Sequence, residues 1–441
     1  MRSLSSSGSS FKAQVSPPAG ALSRRALLGR GAAFGAALGL PWPVLAQDAS
    51  GWPAIERFIE GYVASRKVAN MVVAIGRGQG EPEFIARGRD SFTGLRESNG
   101  DSLYRIYSMT KPITGMAAMM LVDEGAIGLD QPVAEILPGF ADMQVQKVPD
   151  GPLTPGNLQP AVRPITIRHL LTQTAGLGYG IEQGGALSEA YRQAGLVPGL
   201  VSRVETPGTF RGTPAESLEA FADRLATMPL LYQPGTRWSY SVGLDLIGRI
   251  IEVVAGMPFD TFLHQRIIEP CAMSSTWFTV PPGEIDRLTA NYLQVSGLLL
   301  PIDLPENSIF LDEPPFPFGG AGLVSSPRDY DRFLMMLAGH GAIDGRRVMS
   351  EAAVRLGTSD LLPDTMAPDD EFARRSGQGA GGRVGRGAEA GLFGWTGAAG
   401  TIGYVNMRTG LRAGLYTQYM PPTAYRVQEE FMALVTEAAA Q

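Results

Sequence analysis

Ser108 and Lys111 form a Ser-x-x-Lys spacing at the start of a predicted helix. Residues three positions apart on a helix share a face, so the Lys111 amine can reach the Ser108 hydroxyl. A serine hydroxyl is a weak nucleophile until a base takes its proton, and a helix N-terminus favours negative charge on its oxygen. Ser9 and Lys12 match the same spacing, but Lys111 is one of only four lysines and lies among apolar residues. We therefore predict that Ser108 is a nucleophile assisted by Lys111.

The elements that must position Ser108 follow from the hydrophobic pattern. Helical spacing of apolar residues predicts helices at residues 53–66, 109–123, 165–173, 215–228, 243–254 and 423–439. Apolar runs bounded by turn residues predict strands at 71–76, 83–87, 392–395, 401–407 and 411–419. Since strands occur near both ends, we expect an α+β fold in which one antiparallel sheet is flanked by the terminal helices.

Helices fill the middle of the chain, which predicts a second, inserted domain. We expect residues 47–105 and 318–441 to form the discontinuous sheet domain, and residues 106–317 to form a mainly helical domain with long loops. A cleft between two such parts is the default place for a ligand. The active site is therefore expected in that cleft.

Residues 1–46 are predicted to be a signal peptide of the twin-arginine type. Arg24 and Arg25 precede an apolar run at residues 31–40, which is too short to span a bilayer, and the small residue Ala46 closes the segment. We therefore expect a bacterial protein that is periplasmic or secreted. No later segment reaches about 18 uninterrupted apolar residues, so no stable membrane span is expected.

The composition excludes several other classes of protein. Of the 441 residues, 44% are hydrophobic and 18% charged, which excludes a disordered chain, and the net charge of −6 gives no general attraction to nucleic acid. The single cysteine, Cys271, excludes an internal disulfide, and His169, His264 and His340 are too widely spaced to suggest a metal site. The sequence also lacks the Gly-x-Ser-x-Gly elbow of Ser-His-Asp hydrolases. We expect neither a metal nor a cofactor.

The residues around Ser108 resemble a known family. The run from Leu103 to Thr114 resembles the nucleophile segment of the serine β-lactamase and penicillin-binding protein superfamily, and the resemblance continues through residues 124–130, 165–177, 233–235, 240–242 and 319–327. The sequence is most similar to class C β-lactamases and the related family VIII carboxylesterases. The resemblance covers essentially the whole mature chain, and it implies the β-lactamase/transpeptidase-like fold with a Ser108 acyl-enzyme.

The second motif of that superfamily, Tyr-x-Asn, corresponds to Tyr240-Ser241-Val242. A tyrosine hydroxyl beside a lysine amine can exchange a proton with a neighbouring hydroxyl, so the resemblance implies that Tyr240 is a general base or acid beside Ser108. Which of Lys111 and Tyr240 is the base in acylation stays open. Val242 replaces the asparagine, so the resemblance implies an apolar substrate contact at this position in place of an amide.

The third motif, Lys-Thr-Gly, corresponds to Trp395-Thr396-Gly397. The resemblance implies that the backbone N–H groups of Ser108 and Ala398 form the oxyanion hole, which needs no particular side chain. It also implies that Trp395 and Gly397 line the substrate site. Trp395 removes the cation that would pair with a substrate carboxylate.

Val242 and Trp395 both put an apolar side chain where the superfamily has a polar one, which favours uncharged, apolar substrates. We therefore predict an exported serine hydrolase that cleaves carboxylic esters of short or apolar acyl groups. One alternative is a β-lactamase, D-amino-acid peptidase or amide hydrolase that uses the same residues. A second alternative is a penicillin-binding-like sensor without catalysis. The expected partner is a small ester, lactam or amide; the sequence does not separate hydrolysis from acyl transfer to an alcohol, and it gives no oligomeric state.

Overall fold

The helices and strands are given by a computed structural model that describes residues 51–181, 185–204 and 212–439, so the predicted signal peptide lies outside the described residues. The helices are α1 (Pro53–Ala64), α2 (Thr110–Asp123), α3 (Ile167–Leu171), α4 (Gly185–Gln193), α5 (Leu218–Ala226), α6 (Gly243–Ala255), α7 (Phe259–Leu263), α8 (Pro327–Ala338), α9 (Glu351–Gly357), α10 (Glu371–Arg375) and α11 (Val427–Ala439), with a π-helical turn at His264–Ile268. The strands are β1 (Asn70–Arg77), β2 (Glu83–Gly88), β3 (Tyr104–Arg105), β4 (Gln144–Gln146), β5 (Leu158–Pro160), β6 (Asn291–Val295), β7 (Leu298–Asp303), β8 (Val324–Ser325), β9 (Ala342–Ile343), β10 (Arg346–Arg347), β11 (Gly377–Gln378), β12 (Arg383–Val384), β13 (Leu392–Thr396), β14 (Ile402–Asn406), β15 (Leu411–Tyr416) and β16 (Tyr419–Met420).

The main sheet takes its strands from both ends of the described chain. Its order is β11-β12-β13-β14-β15-β1-β2, and each neighbouring pair is antiparallel. Strand β1 lies between β15 and β2, with Val73 opposite Leu415 on one side and Ile85 on the other. This arrangement confirms the predicted antiparallel sheet and the α+β fold class.

Strand β1 is buried on both faces, which explains its continuous apolar run. Met71, Val73 and Ile75 face an outer core cluster that also contains side chains of α1 and α11. Val72 and Ala74 face an inner cluster with side chains of α2, α6 and α8. A strand that is covered on both faces has no solvent-facing positions to fill with polar residues. The terminal helices therefore flank the sheet, as expected, by packing against its outer face.

Helix α2 is buried on every side. Its residues from Thr110 to Leu121 are all buried, and apolar side chains surround the helix axis. A helix that is apolar all round belongs inside a core. This helix carries Lys111, and the short helical turn Tyr107–Met109 before it carries Ser108.

A buried ion pair fixes the strand that leads to Ser108. Arg105 on β3 is fully buried, and its Nε donates to Asp303 Oδ2 at the end of β7 over 2.7 Å. Arg105 also donates to the Thr289 carbonyl and to the Ser308 hydroxyl, so the guanidinium is well satisfied. Breaking such a pair leaves an uncompensated buried charge, which costs about 3–5 kcal/mol.

The sequence prediction missed several elements. Helices α8 and α9 and the hairpin of β6 and β7 were not predicted, and this hairpin lies inside the stretch assigned to the helical domain. Helix α3 starts only at Ile167, because the Thr166 side chain caps it by accepting from the His169 N–H. The division into two domains at residues 105/106 and 317/318 stays a prediction. No helix in the described ranges has the length and apolar character needed to cross a membrane.

Candidate active site

Ser108 lies on a tight turn that the surrounding core holds in place. The preceding residue, Tyr107, has φ = 41°, a left-handed conformation that is rare for a residue with a side chain. Its hydroxyl accepts a hydrogen bond from Asn291 Nδ2 over 3.1 Å, and its ring packs edge-on against Phe310. Such backbone conformations persist where neighbours hold them, and they are frequent at active sites. Ser108 itself is 7% exposed and lines a cavity.

Lys111 contacts the Ser108 hydroxyl as the spacing predicts. The distance from Lys111 Nζ to Ser108 Oγ is 3.2 Å, and Nζ also donates to the Gly320 carbonyl over 2.8 Å. The Lys111 side chain is 1% exposed, and Nζ lies 4.5 Å from the centroid of the Tyr240 ring. A cation over an aromatic face at this distance is attracted by the ring. Ser108, Lys111 and Tyr240 therefore meet in one place.

Asp245 is a buried carboxylate behind Lys111 that the sequence prediction did not include. It lies in the first turn of α6, and its Oδ1 accepts a hydrogen bond from the Gly320 N–H over 2.9 Å. Burial raises the pKa of Asp245 to about 6, while attraction to Lys111 and the bond from Gly320 act in the opposite direction. The Gly320 peptide thus connects the two side chains, because its N–H binds Asp245 and its carbonyl binds Lys111.

The segment that carries Tyr240 is held by Gln173. The Gln173 Oε1 atom accepts from the Ser241 N–H over 3.0 Å and from the Ser241 hydroxyl over 2.7 Å. The Gln173 carbonyl accepts from the Ser239 N–H over 2.9 Å. One buried glutamine therefore fixes the residues on both sides of Tyr240, which is 9% exposed.

Trp395 lies against Tyr240 and bonds to it. The two rings are stacked with 5° between their planes and 5.9 Å between their centroids, and Trp395 Nε1–H donates to the Tyr240 hydroxyl over 3.2 Å. The residue that replaces the superfamily lysine thus still provides a donor to Tyr240. It provides no charge.

Gly397 allows the end of β13 to approach the nucleophile turn. A Cβ atom at Gly397 would lie 2.5 Å from the Ile106 carbonyl oxygen and 2.1 Å from Thr401 Oγ1, which real side chains do not tolerate. The next residue, Ala398, lines the same cavity as Ser108. Within the described part of the chain, neither the Ser108 N–H nor the Ala398 N–H donates a hydrogen bond to another protein group. The arrangement fits the predicted oxyanion hole, which needs two such donors.

The cavity in front of Ser108 is large and mostly apolar. Its volume is about 690 Å³, within the usual range for small-molecule sites. Gln294, Thr396 and the hydroxyls of Ser108 and Tyr240 add polar groups, and the described lining includes no lysine or arginine side chain. The aromatic and aliphatic lining residues are Tyr179, Trp238, Tyr240, Trp395, Ile181, Val201, Leu293, Val295, Met420, Pro421 and Pro422.

Val242 departs from the prediction of a substrate contact. Its side chain is fully buried in the inner core cluster, and it is not among the residues that line the cavity. The reason is its place at the N-terminus of α6, where its N–H donates to the Gly178 carbonyl over 3.2 Å. The side chain at the position of the superfamily asparagine therefore packs in the core and does not line the cavity.

Sequence reasoning also missed Gln173, Gly320, Trp238 and Tyr179. Gln173 and Gly320 belong to segments that resemble the superfamily, but no local pattern indicates that one fixes Tyr240 and the other binds Lys111. Asp245 had a weak signal, since a carboxylate within the apolar face of a predicted helix needs a partner. No group of three or more histidine, cysteine, aspartate or glutamate side chains in the described part of the chain could hold a metal ion.

Comparisons with known proteins show which proteins this chain is similar to. The Rv1367c protein of Mycobacterium tuberculosis is 35% identical over 321 residues, which cover 68% of this chain and 73% of that protein. Esterase EstB of Burkholderia gladioli is 30% identical over 256 residues, 54% of this chain and 58% of that protein. The solved structure of EstCE1, a hydrolase with promiscuous acyltransferase activity, has the same fold with a TM-score of 0.68 at 22% identity, covering 88% of this chain and 98% of that one. The Beta-lactamase family model matches residues 55–437, so the chain belongs to the Beta-lactamase family and is an enzyme of the serine hydrolase type.

Proposed function

We propose that this protein is a carboxylesterase that cleaves esters with apolar acyl groups through an acyl-enzyme on Ser108. The observation that carries the proposal is the indole of Trp395 at the position where the superfamily has a cation, next to a cavity with apolar walls. A neutral ester loses little hydration free energy on entering such a site. A carboxylate loses much more, because its hydrating water is removed and no cation in the lining replaces it. The similarity to an esterase over about half of the chain supports the same reading.

In the proposed acylation, Ser108 Oγ attacks the ester carbonyl and its proton moves to the general base. The Lys111 amine can take this role in its unprotonated form, because Nζ can then donate to the Gly320 carbonyl while its lone pair accepts the Ser108 proton. The carbonyl π electrons move to the oxygen, which the N–H groups of Ser108 and Ala398 stabilise. When the oxyanion collapses, the C–O bond to the alcohol breaks, and Tyr240 or the protonated Lys111 returns the proton to the leaving oxygen.

In deacylation, water replaces the alcohol and the same steps run in reverse order. Water loses a proton to the base, attacks the acyl carbon and releases the acid, and Ser108 regains its proton. An alcohol that occupies the cavity in place of water would give a new ester, so hydrolysis and acyl transfer share every residue. Including a primary alcohol in the assay and measuring the ester product separates the two outcomes.

The arginines near the cleft do not supply a substitute cation. Arg375, Arg383 and Arg386 are paired with Glu371, Glu389 and Asp360 respectively. None of these arginines lines the cavity, and the described lining offers a carboxylate no cationic partner. This supports an ester over a β-lactam as the substrate.

The test compares kcat/KM for p-nitrophenyl butyrate and nitrocefin on one preparation. We expect the ester to be favoured by on the order of a hundredfold, since an unpaired buried carboxylate costs several kcal/mol. Trp395→Lys should shift the ratio toward nitrocefin, with a melting curve to check that the variant folds. Comparable values for the wild-type enzyme, or an advantage for nitrocefin, would contradict the esterase proposal.

We also propose that residues 1–46 direct the protein to the periplasm or the medium. The support is the sequence alone, in which Arg24 and Arg25 precede a weakly apolar run. Changing both arginines to lysine should keep the protein in the cytoplasm. N-terminal sequencing of the exported protein should begin near Gln47, and retention of residues 1–46 would refute this.

A further inference from the structure

The hairpin of β6 and β7 carries an aliphatic surface that continues the cavity wall. Leu293 and Val295 on β6 line the cavity. The register places Leu300 opposite Leu293 and Leu298 opposite Val295. Directly opposite residues of an antiparallel pair project from the same face, as do alternate residues of one strand. These four side chains therefore form one continuous surface, which we call the aliphatic strip.

On each strand of the aliphatic strip, exposure increases toward the turn of the hairpin at residues 296–297. Leu293 is 7% exposed, Val295 41%, Leu300 48% and Leu298 67%. Single exposed leucines are common on protein surfaces, but a contiguous apolar surface that runs out of a ligand cavity is typical of a binding groove. With a rise of about 3.3 Å per residue, the strip extends roughly 7 Å beyond Leu293.

The end of the hairpin next to the cavity is held by hydrogen bonds to the segment that carries Ser108. Asn291, at the start of β6, donates to the Tyr107 hydroxyl, and Asp303, its register partner on β7, binds Arg105. Met420 on β16 is the parallel partner of Leu293 and also lines the cavity. The strip therefore has a defined position relative to Ser108.

We propose that the aliphatic strip binds the distal part of a medium- or long-chain acyl group whose carbonyl is held at Ser108. This rests on the proposed ester hydrolysis and names the substrate class more narrowly. An acyl chain that starts in the cavity beside Leu293 would leave it along the exposed leucines of β7. Four side chains are far too few for a stable protein partner, which covers about 800 Å² on each side.

The experiment measures kcat/KM for p-nitrophenyl butyrate, octanoate and dodecanoate below their solubility limits. Each methylene that leaves water contributes up to about fourfold, so the wild-type value should rise with chain length. The double variant Leu298→Ser/Leu300→Ser should lose about tenfold on dodecanoate through a higher KM and nothing on butyrate, because its contacts are far from the reacting atoms. Both leucines are exposed, so folding should be unaffected.

The matched control is Leu356→Ser, which changes a 40% exposed leucine on α9 outside the cavity lining. It should leave all three esters unchanged. A binding measurement separates this proposal from the catalytic one. In Ser108→Ala, tryptophan fluorescence should report tighter binding of the octanoate ester than of the butyrate, and adding the two serine substitutions should remove the difference.

The outcomes are distinguishable. If the wild-type enzyme hydrolyses none of the esters but the binding difference is present, the esterase proposal fails and the strip stands. If hydrolysis is observed while the double variant changes butyrate and dodecanoate equally, or neither, the strip proposal is refuted. It is also refuted if the loss occurs only with emulsified ester, because the strip would then contact an apolar surface instead of the acyl chain.

Discussion

The hydrogen bond from Trp395 to Tyr240 can be tested by substitution, because a second tryptophan in the cavity wall, Trp238, serves as a matched control. Trp395→Phe keeps an aromatic ring against Tyr240 but removes the Nε1–H that donates over 3.2 Å. Trp238 also lines the cavity and packs near Tyr240, at 6.1 Å between ring centroids. Its Nε1–H is buried without a hydrogen-bond partner in the described structure. Trp238→Phe therefore also removes an indole N–H, but one without a hydrogen-bond partner in the described structure.

The expected effect of Trp395→Phe on kcat follows from the type of hydrogen bond that is lost. A hydrogen bond between neutral groups contributes about 0.5–1.5 kcal/mol, and one to a charged acceptor about 1.5–3 kcal/mol. If the Trp395 donor stabilises negative charge on the Tyr240 oxygen during proton transfer, Trp395→Phe should lower kcat by about tenfold to a hundredfold. Trp238→Phe should leave kcat within about twofold. Trp238→Phe should also not lower the melting temperature through loss of a hydrogen bond, because a buried donor without a partner is itself destabilising.

The assay is steady-state hydrolysis of p-nitrophenyl butyrate between pH 6 and 9, with thermal melts of both variants. We expect the pH dependence of kcat to change in Trp395→Phe and to stay as in the wild-type enzyme in Trp238→Phe. Equal losses in the two variants would refute the reasoning, because they would assign the effect to lost aromatic packing. No loss in Trp395→Phe would show that the bond does not contribute to catalysis.

Three further predictions follow from the same site. Ser108→Ala should abolish turnover, and mass spectrometry of fluorophosphonate-treated wild-type enzyme should find the adduct on Ser108; an adduct elsewhere would contradict the assignment. Gly397→Ala should lower kcat by about a hundredfold or more, since its Cβ would lie 2.5 Å from the Ile106 carbonyl oxygen and displace an oxyanion donor; an unchanged kcat would count against that oxyanion hole. Burial raises the pKa of Asp245 from an ordinary 3.8 to about 6, so its contribution to stability is present below about pH 4 and lost as the pH rises to about 6. Asp245→Asn should remove this loss and therefore raise the melting temperature at pH 7 relative to wild type. The measurement is a series of thermal melts of both proteins from pH 4 to 8. The same pH dependence of the melting temperature in both proteins would contradict the prediction.

The sequence predicted the features that depend on local spacing. Ser108 and Lys111 are three residues apart, so helical geometry alone brings them together. The apolar patterns at residues 71–76 and 243–254 predicted β1 and α6, which span eight and thirteen residues in the structure. The start of α11 was placed four residues too early, because Pro422–Ala424 forms a separate short turn before Val427.

The features that depend on distant contacts were out of reach for local patterns. Tyr240 and Trp395 are 155 residues apart, and only the resemblance to the superfamily joined them to Ser108. Nothing in the sequence near Val242 indicates that its side chain enters the core instead of the cavity. The Gln173 contacts to Ser241 cross 68 residues, and no spacing rule covers them.

The charges around Ser108 point to the same substrate class as the apolar walls. Lys111 is buried and committed to the Ser108 hydroxyl, the Gly320 carbonyl and the face of Tyr240. A substrate carboxylate would have to compete with these partners for the amine and would disable the proposed base by doing so. A neutral ester leaves the amine free to exchange its proton with Ser108, which is why an uncharged acyl group suits this site on electrostatic grounds as well as by the character of the cavity.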